Sequence, residues 1–200
     1  MVKAAFIKNT RRLVYVKDEE IINLYWERDE RAVAETSLKY GKLCNYIANN
    51  ILSNYEDSEE CVNDTYFAVW NLIPSRHPDR FRAFISKIAR NLALKRYEYI
   101  SASKRNPAMV TSLEELSDCV SGKGSVESEI EKKHIEETIN KFLWQQDIEK
   151  RNIFIRRYWY FDSIRDICQY TGFGESKVKS MLYEMRRKLR RYLESEGIEV

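Results

Sequence analysis

The sequence is poor in the residues that punctuate β structure: six glycines and three prolines in 200 residues leave little material for a hairpin-rich fold. It has no apolar run approaching the roughly 18 residues a membrane-spanning helix needs and no signal-peptide pattern, so it is expected to stay in the cytoplasm. Its four cysteines, Cys44, Cys61, Cys119 and Cys168, are scattered without a Cys-x-x-Cys pair, which fits neither a zinc site nor a disulfide framework. Histidine is scarcer still, with only His77 and His134. Glu131 and His134 make one Glu-x-x-His, the spacing of helical di-iron sites, but such sites need a second copy and further carboxylates. No glycine-rich phosphate loop, nucleophile elbow or paired acid and base is present, so no catalytic residue, metal or cofactor is expected and the chain does not read as an enzyme.

What the sequence has is helical periodicity. A hydrophobic content of 44% is enough for real cores, and the long apolar patterns repeat at helical spacing, so the expected fold is all-α: two small helical domains joined by a flexible linker, the second domain a helix-turn-helix. Residues 1–17 are a basic extension with no assigned role. The first domain spans 18–101, the linker 102–126 and the second domain 127–200. In the first domain, residues 18–52 read as two helices. The segment DSEECVNDTYFAVWNLI comes next, with Asp57 or Ser58 as N-cap and Cys61, Thr65 or Tyr66, Val69 and Leu72 on one side. PSRHPD breaks the chain, because two prolines so close cannot both sit inside a helix. The next helix is expected to bury Phe81, Ile85, Ile88 and Leu92. The linker, with Pro107, Gly122 and Gly124, has no sustained apolar stripe; TSLEEL is a short helix candidate capped by Thr111 or Ser112.

Residues 127–200 divide into EETINKFLWQQD, DIEKRNIFIRRYWYFD and a last segment that splits at TGFG, where Gly172 and Gly174 give a tight turn its backbone freedom and Ser176 is placed to cap the final helix. A short helix with Ile164, Ile167 and Cys168 inward, then a longer one with Val178, Met181 or Leu182, Met185 and Leu189 inward, is a helix-turn-helix pattern.

Net charge is only +3, yet it is unevenly spread. Acids gather in YEDSEECVND and SLEELSD. Between Arg80 and Arg105 eight cations (Arg80, Arg82, Lys87, Arg90, Lys95, Arg96, Lys104 and Arg105) face the single anion Glu98. Phe81, Phe84, Tyr97 and Tyr99 lie among them, a mixture suited to single-stranded nucleic acid, although the phenylalanines fit a core equally well. In the last helix Lys177, Lys179, Arg186, Arg187, Lys188, Arg190 and Arg191 oppose only Glu175 and Glu184. Its first half offers Lys177, Lys179, Ser180, Tyr183 and Glu184 to base edges, and its second half would run along phosphates.

Taken in order, DSEECVNDTYFAVW, FRAFISKIARN and KVKSMLYEMRRKL resemble a bacterial RNA polymerase sigma factor of the sigma-70 family, of the two-domain extracytoplasmic-function type, over about residues 18–195. The resemblance implies that residues 18–101 are sigma region 2 and 127–200 sigma region 4. Asp57, Glu60, Asn63 and Asp64 would then dock on a coiled coil of the largest subunit of core polymerase, which the chain also meets at the flap region. Arg76, His77, Arg80, Arg82, Lys87, Arg90, Asn91 and Lys95 would bind the melted minus-ten element, with Arg76 or His77 capturing a flipped base because the loop has no aromatic. Lys177, Lys179, Ser180, Tyr183, Glu184, Arg186 and Arg187 would read the minus-thirty-five duplex, where Glu184 either accepts from a cytosine amino group or repels phosphate. The linker would fold only on the enzyme. Promoter DNA, duplex and melted, is the expected ligand, and an anti-sigma factor is a further candidate partner. The rival reading is a conventional helix-turn-helix regulator with an N-terminal effector or dimerisation domain; a pure protein-interaction module is a third.

Overall fold

The structure, a computed structural model, describes residues 16–99, 107–120 and 129–198. Most of the N-terminal extension, Lys104, Arg105, Gly122 and Gly124 lie outside the described residues, as do the side chains of Cys119 and Glu131. Every regular element among the described residues is helical. The helices are α1 (Asp18–Trp26), α2 (Arg31–Leu52), α3 (Tyr55–Leu72), α4 (Phe81–Tyr99), α5 (Pro107–Val120), α6 (Glu129–Trp144), α7 (Ile148–Tyr158), α8 (Ile164–Thr171) and α9 (Glu175–Ser195), with a 3-10 turn at Ile73–Ser75 after α3.

In the N-terminal unit α2, α3 and α4 pack on one another and α1 lies across α2. Asp18, Glu19 and Glu20 fill the first turn of α1, where negative charge suits the helix dipole. Asp18 also accepts from the Tyr40 hydroxyl at 2.6 Å and pairs with Lys39 at 2.6 Å, tying α1 to α2. The aromatic centre is Tyr25, Tyr40, Trp70 and Phe81, whose rings meet at 5.6 to 6.1 Å between centroids. Tyr25 keeps its one polar atom satisfied by donating to Thr36 at 2.9 Å, and burial pushes its hydroxyl up to about 12. Burying a ring such as Phe81 contributes roughly 1.5 to 3 kcal/mol.

Two local expectations are corrected here. The third helix starts at Tyr55, before Asp57 and Ser58, because Ser53 turns left-handed (φ 50°) and Asn54 accepts from the Asp57 amide at 3.0 Å, so Asn54 is the cap. The fourth helix buries Phe81, Ile85, Ala89 and Ala93, one residue every turn, while Ile88 and Leu92 are only half-buried beside them. The small Ala89 side chain lets α4 approach α3 closely enough for the Cys61 thiol to donate to the Ala89 carbonyl at 3.7 Å. Cys44 and Cys61 are buried, and burial raises their thiols to about 12 and about 11, away from the reactive thiolate range.

The C-terminal unit packs α6, α7, α8 and α9 around Phe142, Ile153, Phe154, Ile167, Leu182 and Leu189. The linker differs most from expectation. Instead of a short helix capped by Thr111 or Ser112, α5 opens on Pro107, a residue suited to a first helical turn, and runs past both. Met109 is buried in the N-terminal core, whereas Leu116 packs on the C-terminal one.

Candidate nucleic-acid interface

The helix-turn-helix is built from its caps inward. Ser163 accepts from the Asp166 amide and starts α8; Gly172, at φ 72°, ends it, its amide donating to the Cys168 carbonyl at 2.8 Å. Gly174 sits at φ −68° and is itself the N-cap of α9, so it needs no special freedom and Ser176 does not cap. The α9 face toward the core is Val178, Met181, Leu182, Met185, Leu189 and Leu193, which leaves Lys177, Lys179, Ser180, Tyr183, Glu184 and Arg187 exposed together. Lys179 pairs with Glu175 at 2.6 Å, Lys177 lies over the Phe173 ring at 3.4 Å and Arg187 over Tyr183 at 5.8 Å. Arg186 is placed otherwise. Its guanidinium donates to the Tyr158 hydroxyl at 2.6 Å and pairs with Glu115 of α5 at 3.3 Å, so it faces the protein rather than the exposed side of α9.

On the N-terminal unit, Arg76, His77, Arg80, Arg82, Lys87, Asn91 and Lys95 are exposed along the loop after α3 and the outer face of α4. The loop lacks an aromatic of its own, but α1 brings one: the half-exposed Trp26 ring lies 6.2 Å from His77. The sequence held no signal for that approach, since the two residues are far apart in the chain. Arg90 departs from its neighbours. It lies over the rings of Trp159 at 4.6 Å and Phe161 at 5.1 Å and donates to the Trp159 carbonyl at 3.2 Å, all from the C-terminal unit. Burial pushes its guanidinium down from the usual value.

The proposed docking residues split in the same way. Asn63, Asp64 and the large apolar Phe67 share an exposed stripe of α3. Asp57 and Glu60 are held by Arg96 of α4, at 2.7 and 2.5 Å; hydrogen bonding to that guanidinium lowers the Glu60 carboxyl and raises Arg96. They are therefore partly spent on joining α3 to α4.

Between the units lies a cluster the sequence did not single out. The Asp162 carboxylate, 1% exposed, accepts from the Tyr46 hydroxyl and from Asn50 Nδ2 at 3.0 Å, and pairs with Arg156 at 2.8 Å. Beside it Phe161 has φ 57°, a left-handed conformation costing a non-glycine residue roughly 1 to 2 kcal/mol, and its ring is buried in the N-terminal core. Burial is the leading influence on Asp162 and raises its carboxyl.

The described residues thus combine a helix-turn-helix whose exposed face is cationic with an N-terminal helical unit whose exposed α4 face is also cationic. Residues 38–101, about a third of the chain, match the family described as Sigma-70 region 2. That segment, which covers most of α2, all of α3 and all of α4, is what the chain shares with sigma-70 region 2. Comparison with curated proteins returned no significant match. Among solved structures the chain is similar to "Structure of CnrH in complex with the cytosolic domain of CnrY", at 18% identity and a TM-score of 0.41, over 89% of this chain and 97% of that one. Among the described residues no helix is long and apolar enough to cross a membrane.

Proposed function

We propose that the chain is an extracytoplasmic-function type sigma factor that binds core RNA polymerase and directs it to promoters, melting and holding the minus-ten element with residues 18–101 and reading the minus-thirty-five duplex with the helix-turn-helix. The observation that carries this reading is the order of parts: a sigma-70 region 2 match at 38–101, then a helix-turn-helix with a cationic exposed face. Asn63, Asp64 and Phe67 form the docking stripe, in which an anion and a ring meet a basic partner surface and its apolar centre. Arg76, Arg80, Arg82, Lys87 and Lys95 neutralise phosphates of the opened strands. His77, with the Trp26 ring beside it, supplies aromatic faces on which an unstacked base can rest. Lys179, Ser180, Tyr183 and Glu184 face the base edges of the upstream duplex.

The test is co-elution of the purified chain with sigma-free core polymerase, with and without the substitution Asp64→Lys. Since Asp64 is exposed, reversal should weaken core binding at least about tenfold while leaving the melting temperature unchanged, about 1.4 kcal/mol of binding. Wild-type protein that does not bind core, but still binds duplex DNA, would overturn this reading in favour of a conventional regulator.

A further inference from the structure

Arg28, in the turn between α1 and α2, has φ 57°, a left-handed conformation that a side chain opposes and glycine takes freely. Its guanidinium reaches across to the end of α3, donating to the Trp70 carbonyl at 2.8 Å and lying 5.2 Å from the centre of the Trp70 ring. That carbonyl needs an outside donor. In a continuing helix it would accept from residue 74, and Pro74 has no amide hydrogen to give. Arg28 thus ties the end of α1 to the point where the loop carrying His77 begins, and α1 also packs on the 3-10 turn there. The loop is stiff in its own right, since Pro74 and Pro78 fix their φ angles and Pro78 restricts His77 before it. Two residues before Arg28, Trp26 ends α1, 46% exposed, with its ring centred 6.2 Å from the His77 ring and tilted 36° to it.

We propose that Arg28 is a positioning residue for the opened promoter strand: anchored on Trp70, it sets Trp26 opposite His77 so that the two rings form a slot for one unstacked base. That the base comes from promoter DNA rests on the sigma reading above; the anchoring does not. A base held between two rings needs two stacking distances of roughly 3.4 Å each, or about 6.8 Å in all. The Trp26 and His77 centroids stand slightly closer than that. Their tilt is neither that of stacked nor of edge-to-face rings, so the pair gives up little when a base parts it and gains a stacking face on each side. The backbone of Arg28 points the same way. Strain of this kind gathers at ligand clamps, where the surrounding structure holds it in place. Arg76 adjoins His77 and Arg80 follows the loop, both exposed for the phosphates that flank such a base.

The experiment uses the full chain assembled with sigma-free core polymerase, on forked promoter fragments in which 2-aminopurine replaces one base at a time in the single-stranded tail. Fluorescence reads stacking, because 2-aminopurine is quenched against an aromatic ring. Fork titration gives affinity, and thermal melting of the chain and binding of the upstream duplex alone are the controls. The slot predicts one strongly quenched position in the wild type, loss of that quenching with about tenfold weaker fork binding in Trp26→Ala, and quenching kept in Trp26→Phe. Arg28→Gly suits φ 57° but lacks the anchor. It should keep its melting temperature and upstream-duplex binding, while quenching weakens and fork affinity falls about threefold as the slot loses its preset form. Quenching unchanged in Trp26→Ala overturns the slot. Quenching unchanged in Arg28→Gly, or a loss matched by equal losses of duplex binding and melting temperature, overturns the positioning role and leaves Arg28 as the cap of α3. A wild type that opens promoters without quenching at any position overturns the inference and leaves the sigma reading standing; one that opens no promoter removes that reading, and this one with it.

Discussion

Glu115 shows how much one carboxylate of α5 holds. It accepts from Arg157 at 2.7 Å and from the Tyr158 hydroxyl at 3.1 Å, and pairs with Arg186 at 3.3 Å. Arg157 is only 3% exposed, so losing its anion leaves a buried cation with only the Asp162 carbonyl at 3.0 Å. Glu115→Ala should therefore cost about 2 to 3 kcal/mol in urea unfolding; a loss below about 0.5 kcal/mol, the scale of a neutral surface change, would contradict the assignment. Burial pushes the Glu115 carboxyl up, but the hydrogen bonds and charges of Arg157, Tyr158 and Arg186 outweigh it and the net shift is downward. A depressed folded value gives stability that is present above the ordinary glutamate value and is lost as pH falls through the folded one. As the pH drops below 4.5, the wild type should lose stability faster than Glu115→Gln, which has no such proton to take up. Equal acid slopes would show that the carboxylate is not held by these cations.

Among the elements, α9 was the most legible in the sequence. Its buried positions Val178, Leu182, Met185 and Leu189 keep strictly to helical spacing, and its exposed face is set by exclusion. On that face, replacing Lys179 and Tyr183 with alanine should change which upstream box is preferred, measured by selection from randomised duplexes. A uniform drop across all sequences would reassign both residues to phosphate contact or folding. The α4 stripe was read less well, because Ala89 and Ala93 are weakly hydrophobic and gain their burial from close approach to neighbouring helices, which periodicity does not show. Helix α5 was misread as mostly linker for a related reason. Its docking rests on Met109, Ser112, Glu115 and Leu116; Ser112 is buried while donating to the Met109 carbonyl of its own helix at 2.8 Å, and the partners of Glu115 lie far along the chain. The cluster around Asp162 was invisible because its partners are distant: Tyr46 and Asp162 are 116 residues apart.

At the scale of the molecule, a net charge of +3 hides a division of labour. In the proposed function the exposed anion and ring on α3, the cations along the outer face of α4 and the cationic face of α9 would meet different partners, and their order along the chain ties them to one task. The units that carry α4 and α9 are joined by Phe161 and by α5, whose Met109 sits in the first core and whose Glu115 holds Arg157 and Arg186 of the second. The central claim is that the chain turns core polymerase into a promoter-specific enzyme. The measurement that tests it most directly adds purified protein to sigma-free bacterial core polymerase and genomic DNA, and sequences the 5′ ends of the transcripts. The account predicts discrete start sites preceded by two shared boxes at a fixed separation, lost at raised salt as the phosphate contacts are screened. Starts no different from those of core alone would contradict it.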